Sequence, residues 1–291
     1  MLMGVYSIDQ LSKVTGISKR TLRAWETRYG YLSGNRTKTN IRIYNDSHLI
    51  RAINTTTLLS LGYKISKIAL LLDKEVNQII LKVSDSKSNK NEDVYINALV
   101  KACVKYDANL FDLTFSRGIL KYGIIDFYII VILPALTKIG LFWLVNNLTP
   151  AQEHFFSELL KERISVETNA FALEEAYDPS WVIFLPEGEH HEIGLLMAKL
   201  ILRKQNKKVY YFGANLPFDT MNEINTELKP KNVLYFIISN RKVDELENIV
   251  FKIEKNFPSS NIYMVSNISL EKKFKNTNII NEITQFTSIL N

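Results

Sequence analysis

The basic side chains in the first quarter of the chain have the types and spacing needed to bind a polyanion. Residues 1–70 contain 11 Lys and Arg against 3 Asp and Glu, whereas the rest of the chain holds 25 and 27. Such a localised excess favours nucleic acid as a partner, then a membrane surface, with a merely solvated face as the alternative. Lys19, Arg20 and Arg23 follow Ser18, a residue typical of a helix N-cap. They therefore lie near a helix N-terminus, the end that a recognition helix presents to DNA.

A second group of residues places a carboxylate, an imidazole and a glycine at a short spacing. Glu189, His191 and Gly194 come directly after an apolar, strand-like run. A His that ligates a metal through one ring nitrogen commonly donates its other N–H to a carboxylate, which fixes the tautomer. Two adjacent His residues at a strand-to-helix turn are equally compatible with exposed polar side chains, and we interpret His190 in that way.

Length and composition restrict the class of protein. The chain has 291 residues, a length that predicts about two domains. Hydrophobic residues make up 46% and charged residues 23%, which is ordinary for a globular protein and excludes collagen and disulfide scaffolds. Its single cysteine, Cys103, favours a reducing compartment. No signal peptide is evident, and the apolar stretch 124–145 is interrupted by Asp126, Pro134 and Lys138. We therefore expect a cytoplasmic protein that does not span a membrane.

Residues 1–75 are predicted to form an all-α winged helix-turn-helix domain. Ser7 and Ser18 are of a residue type typical of helix N-caps, and Gly30 suits the left-handed conformation that ends a helix. Two short helices joined by a glycine-containing turn form a helix-turn-helix. The alternating segment Gly34–Tyr44 predicts a hairpin, or wing.

The remaining chain predicts a multidomain architecture. Residues 76–93 are a linker, 94–176 a central four-helix bundle and 177–291 a C-terminal α/β domain with a Rossmann-like parallel sheet, since strand-like and helical segments alternate there. Ligands of such sheets bind beyond the carboxyl ends of the strands. The predicted bundle helices are Val94–Tyr106, Asn109–Lys121, Ile124–Leu136 and Pro150–Leu173, and the predicted strands are Trp181–Leu185, Val209–Phe212, Val233–Ile238 and Ile262–Val265.

Several short motifs of the first domain resemble the MerR family of winged-helix DNA-binding domains. They are Arg23-Ala24-Trp25-Glu26, Arg28-Tyr29-Gly30, Arg36-Thr37 and Ile41-Arg42-Ile43-Tyr44, and the first two are similar to its light- and cobalamin-responsive branch. The resemblance implies a double-stranded DNA operator as partner. Trp25 is expected in the core, and Glu26 is expected to pair with Arg23 or the helix N-terminus. The candidate DNA-binding residues are Arg20 and Thr21 at base edges, with Lys19, Arg23, Arg28, Arg36, Lys38, Arg42 and Tyr44 as further contacts, most of them to phosphates.

The spacing of Glu189, His191 and Gly194 resembles the acid-x-His-x-x-Gly motif of cobalamin-binding domains. The resemblance implies that His191 is the lower axial ligand of cobalt, that Glu189 orients it and that Gly194 lets the corrin ring approach the backbone. Ser239 is a further candidate cofactor-binding residue. The loop Gly213–Pro217 is also similar to a loop of that family.

A third motif resembles the helical cap that covers cobalamin in the same regulators. Trp143 is followed by nine residues and then by Glu153 and His154. The resemblance implies that Trp143 packs over the upper ligand of cobalt, and that the other two residues line the adenosyl pocket.

Three positions depart from these family patterns. Leu144 replaces a His that light sensors often carry after the tryptophan. Asn240-Arg241 follows Ser239 where a Ser-x-Leu motif is usual, and Ser266-Asn267 stands in place of Gly-Gly. The last two departures affect the room for the nucleotide tail, and they leave weakened binding, an altered tail or a loss of corrin binding as alternatives.

Taken together, the motifs imply a transcription regulator rather than an enzyme. The resemblance implies a repressor in which adenosylcobalamin, held between bundle and sheet, stabilises a homo-oligomer, dimer or tetramer, with light as a candidate signal. The alternatives are a degenerate sensor that acts through another ligand or partner, a cobalamin-carrying methyltransferase or mutase module, and a sensor of another small molecule. The basic helix-turn-helix argues against the enzyme module.

Overall fold

The computed structural model describes residues 6–36, 41–76, 78–79, 92–144, 148–171, 177–239, 241–266 and 274–290. They divide into two compact units, Met1–Leu159 and Leu160–Asn291. The first unit contains a helix-turn-helix followed by a helical region, and the second contains a parallel sheet with helices. The predicted fold class is confirmed, whereas the predicted domain boundaries stay predictions.

The helix-turn-helix consists of α1 (Ile8–Thr15) and α2 (Lys19–Tyr29). Both begin at the predicted N-caps, since the Ser7 and Ser18 hydroxyls accept backbone N–H bonds from the first turn of each helix. Gly30 ends α2 in the left-handed conformation, with φ of 64°. Local capping therefore determines the bounds of both helices.

The wing is a short antiparallel pair of strands, β1 (Asn35–Arg36) and β2 (Arg42–Ile43), as predicted. Lys38, a predicted phosphate contact, lies outside the described residues. The unit continues with α3 (Asp46–Ser60) and α4 (Ile65–Ile68).

The four predicted helices of the central region are present with changed bounds. The third extends past Leu136 and contains one π-helical turn, in which the Leu133 N–H donates to the Tyr128 carbonyl. Pro134 follows directly and has no N–H to continue the α-helical ladder there. No helix in the described ranges is long and apolar enough to cross a membrane. The elements are α5 (Glu92–Lys105), α6 (Ala108–Tyr122), α7 (Ile124–Phe127), the π-turn Tyr128–Ile132, α8 (Leu133–Leu144) and α9 (Pro150–Asn169), the last ending before the predicted Leu173.

A buried polar contact joins three helices of the first unit. The Asn97 Nδ2 on α5 donates to Thr57 Oγ1 on α3 over 2.6 Å, and Lys138 Nζ on α8 donates to Asn97 Oδ1 over 3.1 Å. Asn97 and Thr57 are both buried, and burial lowers the pKa of Lys138. Because unpaired buried polar groups are costly, these bonds fix how α3 packs on α5 and α8.

The second unit is built on five parallel strands in the order β4-β3-β5-β6-β7. All six residues of β5 are buried, as expected for a sheet covered on both faces. The strands are β3 (Tyr177–Pro186), β4 (Lys207–Leu216), β5 (Asn232–Ile237), β6 (Asn261–Ser266) and β7 (Thr277–Ile280), and the helices are α10 (Glu192–Lys204), α11 (Met221–Leu228), α12 (Val243–Asn256) and α13 (Ile283–Leu290). The predictions did not include β7 and α13.

The strand order locates the ligand-binding edge of this sheet. The first strand, β3, lies between β4 and β5, so the chain winds outward in opposite directions from the β3–β5 pair. In open parallel sheets, ligands bind in the crevice outside the carboxyl ends of strands at such a switch point. The residues that follow β3 and β5 therefore lie where a ligand of this sheet would bind.

Gly118 on α6 provides a test of the packing in the helical region. A Cβ at Gly118 would overlap the ring of buried Phe127, whereas a Cβ at Gly140 on α8 would meet no atom within 4 Å. Gly118→Ala should lower the free energy of unfolding by about 1–3 kcal/mol because of overpacking. Gly140→Ala should raise it by up to about 1 kcal/mol, since alanine is the better helix former. Urea denaturation of both variants measures these changes. Equal changes in the free energy of unfolding of the two variants would contradict the packing described for Gly118.

Candidate functional site

A buried carboxylate lies at the carboxyl ends of β3 and β5. The Glu189 side chain is 0% exposed and accepts six hydrogen bonds. Its Oε1 accepts from the backbone N–H groups of His190 and His191 and from the His191 ring at 2.5 Å. Its Oε2 accepts from the N–H groups of Ile238 and Ser239 and from the Ser239 hydroxyl at 2.7 Å. One carboxylate therefore connects the segments that follow two adjacent strands.

These hydrogen bonds determine the protonation of the pair. Burial alone would raise the pKa of Glu189, but the bonds from His191, Ser239 and Ile238 outweigh it and lower that pKa well below its usual value. The carboxylate is therefore ionised at neutral pH and can only accept, so His191 Nδ1 is the donor. A neutral imidazole in this tautomer carries its lone pair on Nε2. Because the His191 side chain is 61% exposed, the geometry suits a metal ligand whose orientation is fixed by a buried acid.

The carboxyl end of β4 supports the same segment. Asn215 Oδ1 accepts from the Gly188 N–H at 2.8 Å, and the Asn215 N–H donates to the Glu189 carbonyl at 3.1 Å. Gly188 and Asn215 both have a left-handed backbone, with φ of 78° and 58°. The segment that carries Glu189 is thus held from both neighbouring strands.

Two other candidate residues of this site have structural roles. A Cβ on Gly194 would lie 2.9 Å from a ring carbon of Phe236, so a glycine lets α10 pack on β5 whether or not a ligand is present. The predicted approach of a corrin ring to Gly194 stays a prediction. The Ser239 hydroxyl is a partner of the Glu189 carboxylate, so this residue positions the acid.

The candidate cap residues lie in the first unit. Trp143 belongs to α8, but its side chain and that of Leu144 lie outside the described part of the structure. Glu153 lies in the first turn of α9, where it accepts a hydrogen bond from the Ser157 hydroxyl at 2.6 Å. The His154 ring is exposed, 3.4 Å from the Glu153 carboxylate. These placements leave the predicted roles untested.

The basic residues of the helix-turn-helix form an exposed surface. Lys19 pairs with Asp9 of α1 at 2.5 Å, but both side chains are more than half exposed, and such pairs contribute little to stability. Thr21 is half-buried, and its hydroxyl lies 2.7 Å from the Ser18 hydroxyl. The exposed candidates of this surface are Lys19, Arg20, Arg23, Arg28 and Arg36.

Two candidate contacts on the wing have different surroundings from those expected. The Arg42 Nε donates to Glu26 Oε2 at 2.5 Å, and both side chains are largely buried, so the partner of Glu26 is Arg42 rather than Arg23. This ion pair connects α2 to β2. Tyr44 is 4% exposed, and its ring packs edge-on against His48, so it belongs to the core of this region and not to its basic surface. Sequence reasoning missed the Glu26–Arg42 pair because the partners are 16 residues apart.

Comparison with known proteins identifies both regions of the first unit. Residues 6–75 match the family MerR HTH family regulatory protein, and residues 95–166 match the family B12 binding domain. The second match covers most of α5 to α9. It thus supports the prediction that a helical region of this type follows the helix-turn-helix.

Similarity to individual proteins extends further. The HTH-type transcriptional repressor CarH of Myxococcus xanthus is 25% identical over 257 residues, which cover 87% of this chain and 85% of CarH. The repressor CarA of the same organism is 24% identical, over 84% of this chain and 80% of CarA. The HTH-type transcriptional regulator MlrA of Escherichia coli (strain K12) is 34% identical over 73 residues, which cover 25% of this chain and 30% of MlrA.

A solved structure supports the fold of most of the chain. The Methanosarcina barkeri monomethylamine corrinoid protein superposes with a TM-score of 0.51 and 15% sequence identity, over 73% of this chain and 97% of that one. At this identity the likeness concerns the fold alone. The chain therefore combines a region that matches the MerR helix-turn-helix family with a helical region that matches the B12 binding domain family, and its similarity to the CarH and CarA repressors extends over most of its length.

Proposed function

We propose that this chain is a repressor that binds operator DNA through α2 and the wing and is controlled by a corrinoid, adenosylcobalamin, at the carboxyl ends of β3 and β5. The observation that carries the proposal is the Glu189–His191 pair at the switch point of the sheet. The relatives with regulator names support a non-enzymatic role. A regulator of transcription would act in the cytoplasm, where a bacterial chromosome is found.

The residues at this edge have the chemistry that a corrinoid requires. Bound cobalamin would supply a cobalt ion that accepts one axial nitrogen ligand from the protein. His191 offers Nε2 for that purpose, and Glu189 holds the ring by Nδ1 at 2.5 Å. Trp143, Glu153 and His154 stay proposed contacts of the upper side of the same ligand.

Regulation requires that the ligand distinguish two states of the protein. We propose that the corrinoid binds one oligomeric form, a dimer or a tetramer, more tightly than the other, and so changes how the DNA-binding heads are paired. Paired heads would read half-sites whose spacing reflects the symmetry of the oligomer. Light remains a candidate signal, although Leu144 stands where a second histidine ligand is usual.

One observation favours a second candidate function, a regulator whose sensor region binds no corrinoid. Arg241 stands where a leucine is usual, and its side chain lies at the same crevice as Glu189. Gel filtration after incubation with adenosylcobalamin in the dark separates the two functions. Corrin absorbance that co-elutes with the protein supports the first proposal, and its absence supports the second.

Arg20 and Arg23 test the interpretation of the DNA surface. Arg20→Ala should weaken binding to the preferred DNA by about 1–3 kcal/mol and relax the preference at one base pair, because a base-edge contact is lost. Arg23→Ala should weaken binding to all sequences alike and reduce the salt dependence by about one phosphate contact. Selection from random-sequence DNA followed by titration at several salt concentrations measures both effects.

Lys204→Ala provides the control for these variants, since Lys204 is an exposed basic residue on α10 of the other unit. It should leave affinity and preference unchanged. If Arg20→Ala reduced specific and non-specific affinity equally, Arg20 would be a phosphate contact rather than a base reader.

His191 and its neighbour His190 test the axial ligand. His191→Ala should remove the protein nitrogen from cobalt, so the visible spectrum of bound adenosylcobalamin should change or binding should weaken. His190→Ala should leave the spectrum unchanged, because only the backbone of His190 contacts Glu189 in the described hydrogen bonds. Spectra of both variants recorded in the dark make the comparison, and an unchanged spectrum in His191→Ala would eliminate the axial role.

A further inference from the structure

The guanidinium of Arg241 bridges the ends of β3 and β5. Its Nε donates to the Ser239 Oγ at 3.2 Å, its Nη2 donates to the Glu187 carbonyl at 3.4 Å, and its Nη1 donates to Glu245 Oε1 at 2.6 Å. The side chain is only 11% exposed. Arg241 therefore fills space between the segments that follow the two strands of the switch point.

The packing around Arg241 is tight on the side of β3. A Cβ added to Gly188 would lie 3.0 Å from Arg241 Nη2, so the guanidinium lies directly against the loop that precedes Glu189. Gly188 also has a left-handed backbone, which disfavours any larger residue there. The guanidinium therefore occupies the space directly beside Gly188.

The location of Arg241 matters for one part of a corrinoid. In cobalamin, the phosphate and nucleotide tail hang from the lower face of the corrin ring, the face that would meet His191. A corrinoid held by His191 would turn that face toward the protein, so its tail would need room beside the segments that follow β3 and β5. Cobinamide has the same ring and cobalt but lacks the phosphate and the nucleotide.

We propose that Arg241 determines corrinoid specificity by obstructing the nucleotide tail, so that this chain favours corrinoids without a tail over cobalamin. The proposal rests on the proposed corrinoid function. The Glu245 carboxylate already neutralises the Arg241 charge, and the other two guanidinium bonds go to protein oxygens. Arg241 thus has protein partners in the crevice, which favours obstruction over recognition of the tail phosphate.

The test compares adenosylcobinamide with adenosylcobalamin on the full-length protein in the dark, by equilibrium dialysis and visible spectroscopy. The wild-type chain should bind adenosylcobinamide about tenfold more tightly. Arg241→Leu should tighten adenosylcobalamin binding by about tenfold and change adenosylcobinamide binding by less than about twofold. Arg241→Gln, which keeps a polar side chain of smaller size, should shift the ratio in the same direction and guards against misfolding of the leucine variant.

Lys242→Leu is the matched control, because it removes the adjacent exposed positive charge and should leave both affinities unchanged. An unchanged ratio of affinities in both Arg241 variants would overturn the obstruction. Weaker adenosylcobalamin binding in those variants would also overturn it, and would make Arg241 a phosphate contact. If neither corrinoid bound to the wild-type chain, the proposed function itself would fail, and this inference with it.

Discussion

The buried charge of Glu189 is the constraint on which the second unit depends. An ionised carboxylate without contact to water is costly unless it is fully hydrogen-bonded, and this one receives six bonds from two consecutive positions after β3 and two consecutive positions after β5. Those bonds can form only when β3 and β5 are adjacent and parallel. The orientation of His191 is therefore a consequence of the sheet topology, and the site needs little further organisation when a ligand arrives.

In the first unit, too, the residues that stabilise the structure differ from the residues that face solvent. Arg42 and Glu26 form an ion pair that joins wing and recognition helix, whereas Arg20 and Arg23 on the same helix are exposed. The bonds of Asn97 then tie α3 to α5 and to α8. Because α8 also carries Trp143, a change in the position of α8 would alter the contact that holds α3, the helix that follows the wing.

Local signals in the sequence predicted much of this fold. The helices that begin at Ser7 and Ser18 and the strands with long apolar runs were predicted correctly. Capping and periodicity depend on neighbouring residues, so the sequence alone shows them. Four-residue β7 was missed because so short a strand has no distinctive pattern. The partners of Glu26 and Arg42 could not be predicted, and neither could the bonds from Ser239 to Glu189, which join residues 50 positions apart. The spacing of residues in the sequence thus predicted the candidate site residues. Their contacts are known only from the three-dimensional structure.

The departure from the family pattern at Arg241 leaves the bonds that hold the histidine in place. Ser239 keeps its bonds from N and Oγ to Glu189 although an arginine stands two positions later. That later position, Arg241, donates to the Ser239 Oγ and to the Glu187 carbonyl, and its side chain occupies the space beside the pair. The proposed axial ligand and a restricted crevice are therefore physically compatible in one domain. We therefore expect that the arginine in place of the Ser-x-Leu leucine affects which corrinoid fits. It does not exclude the proposed coordination of cobalt by His191.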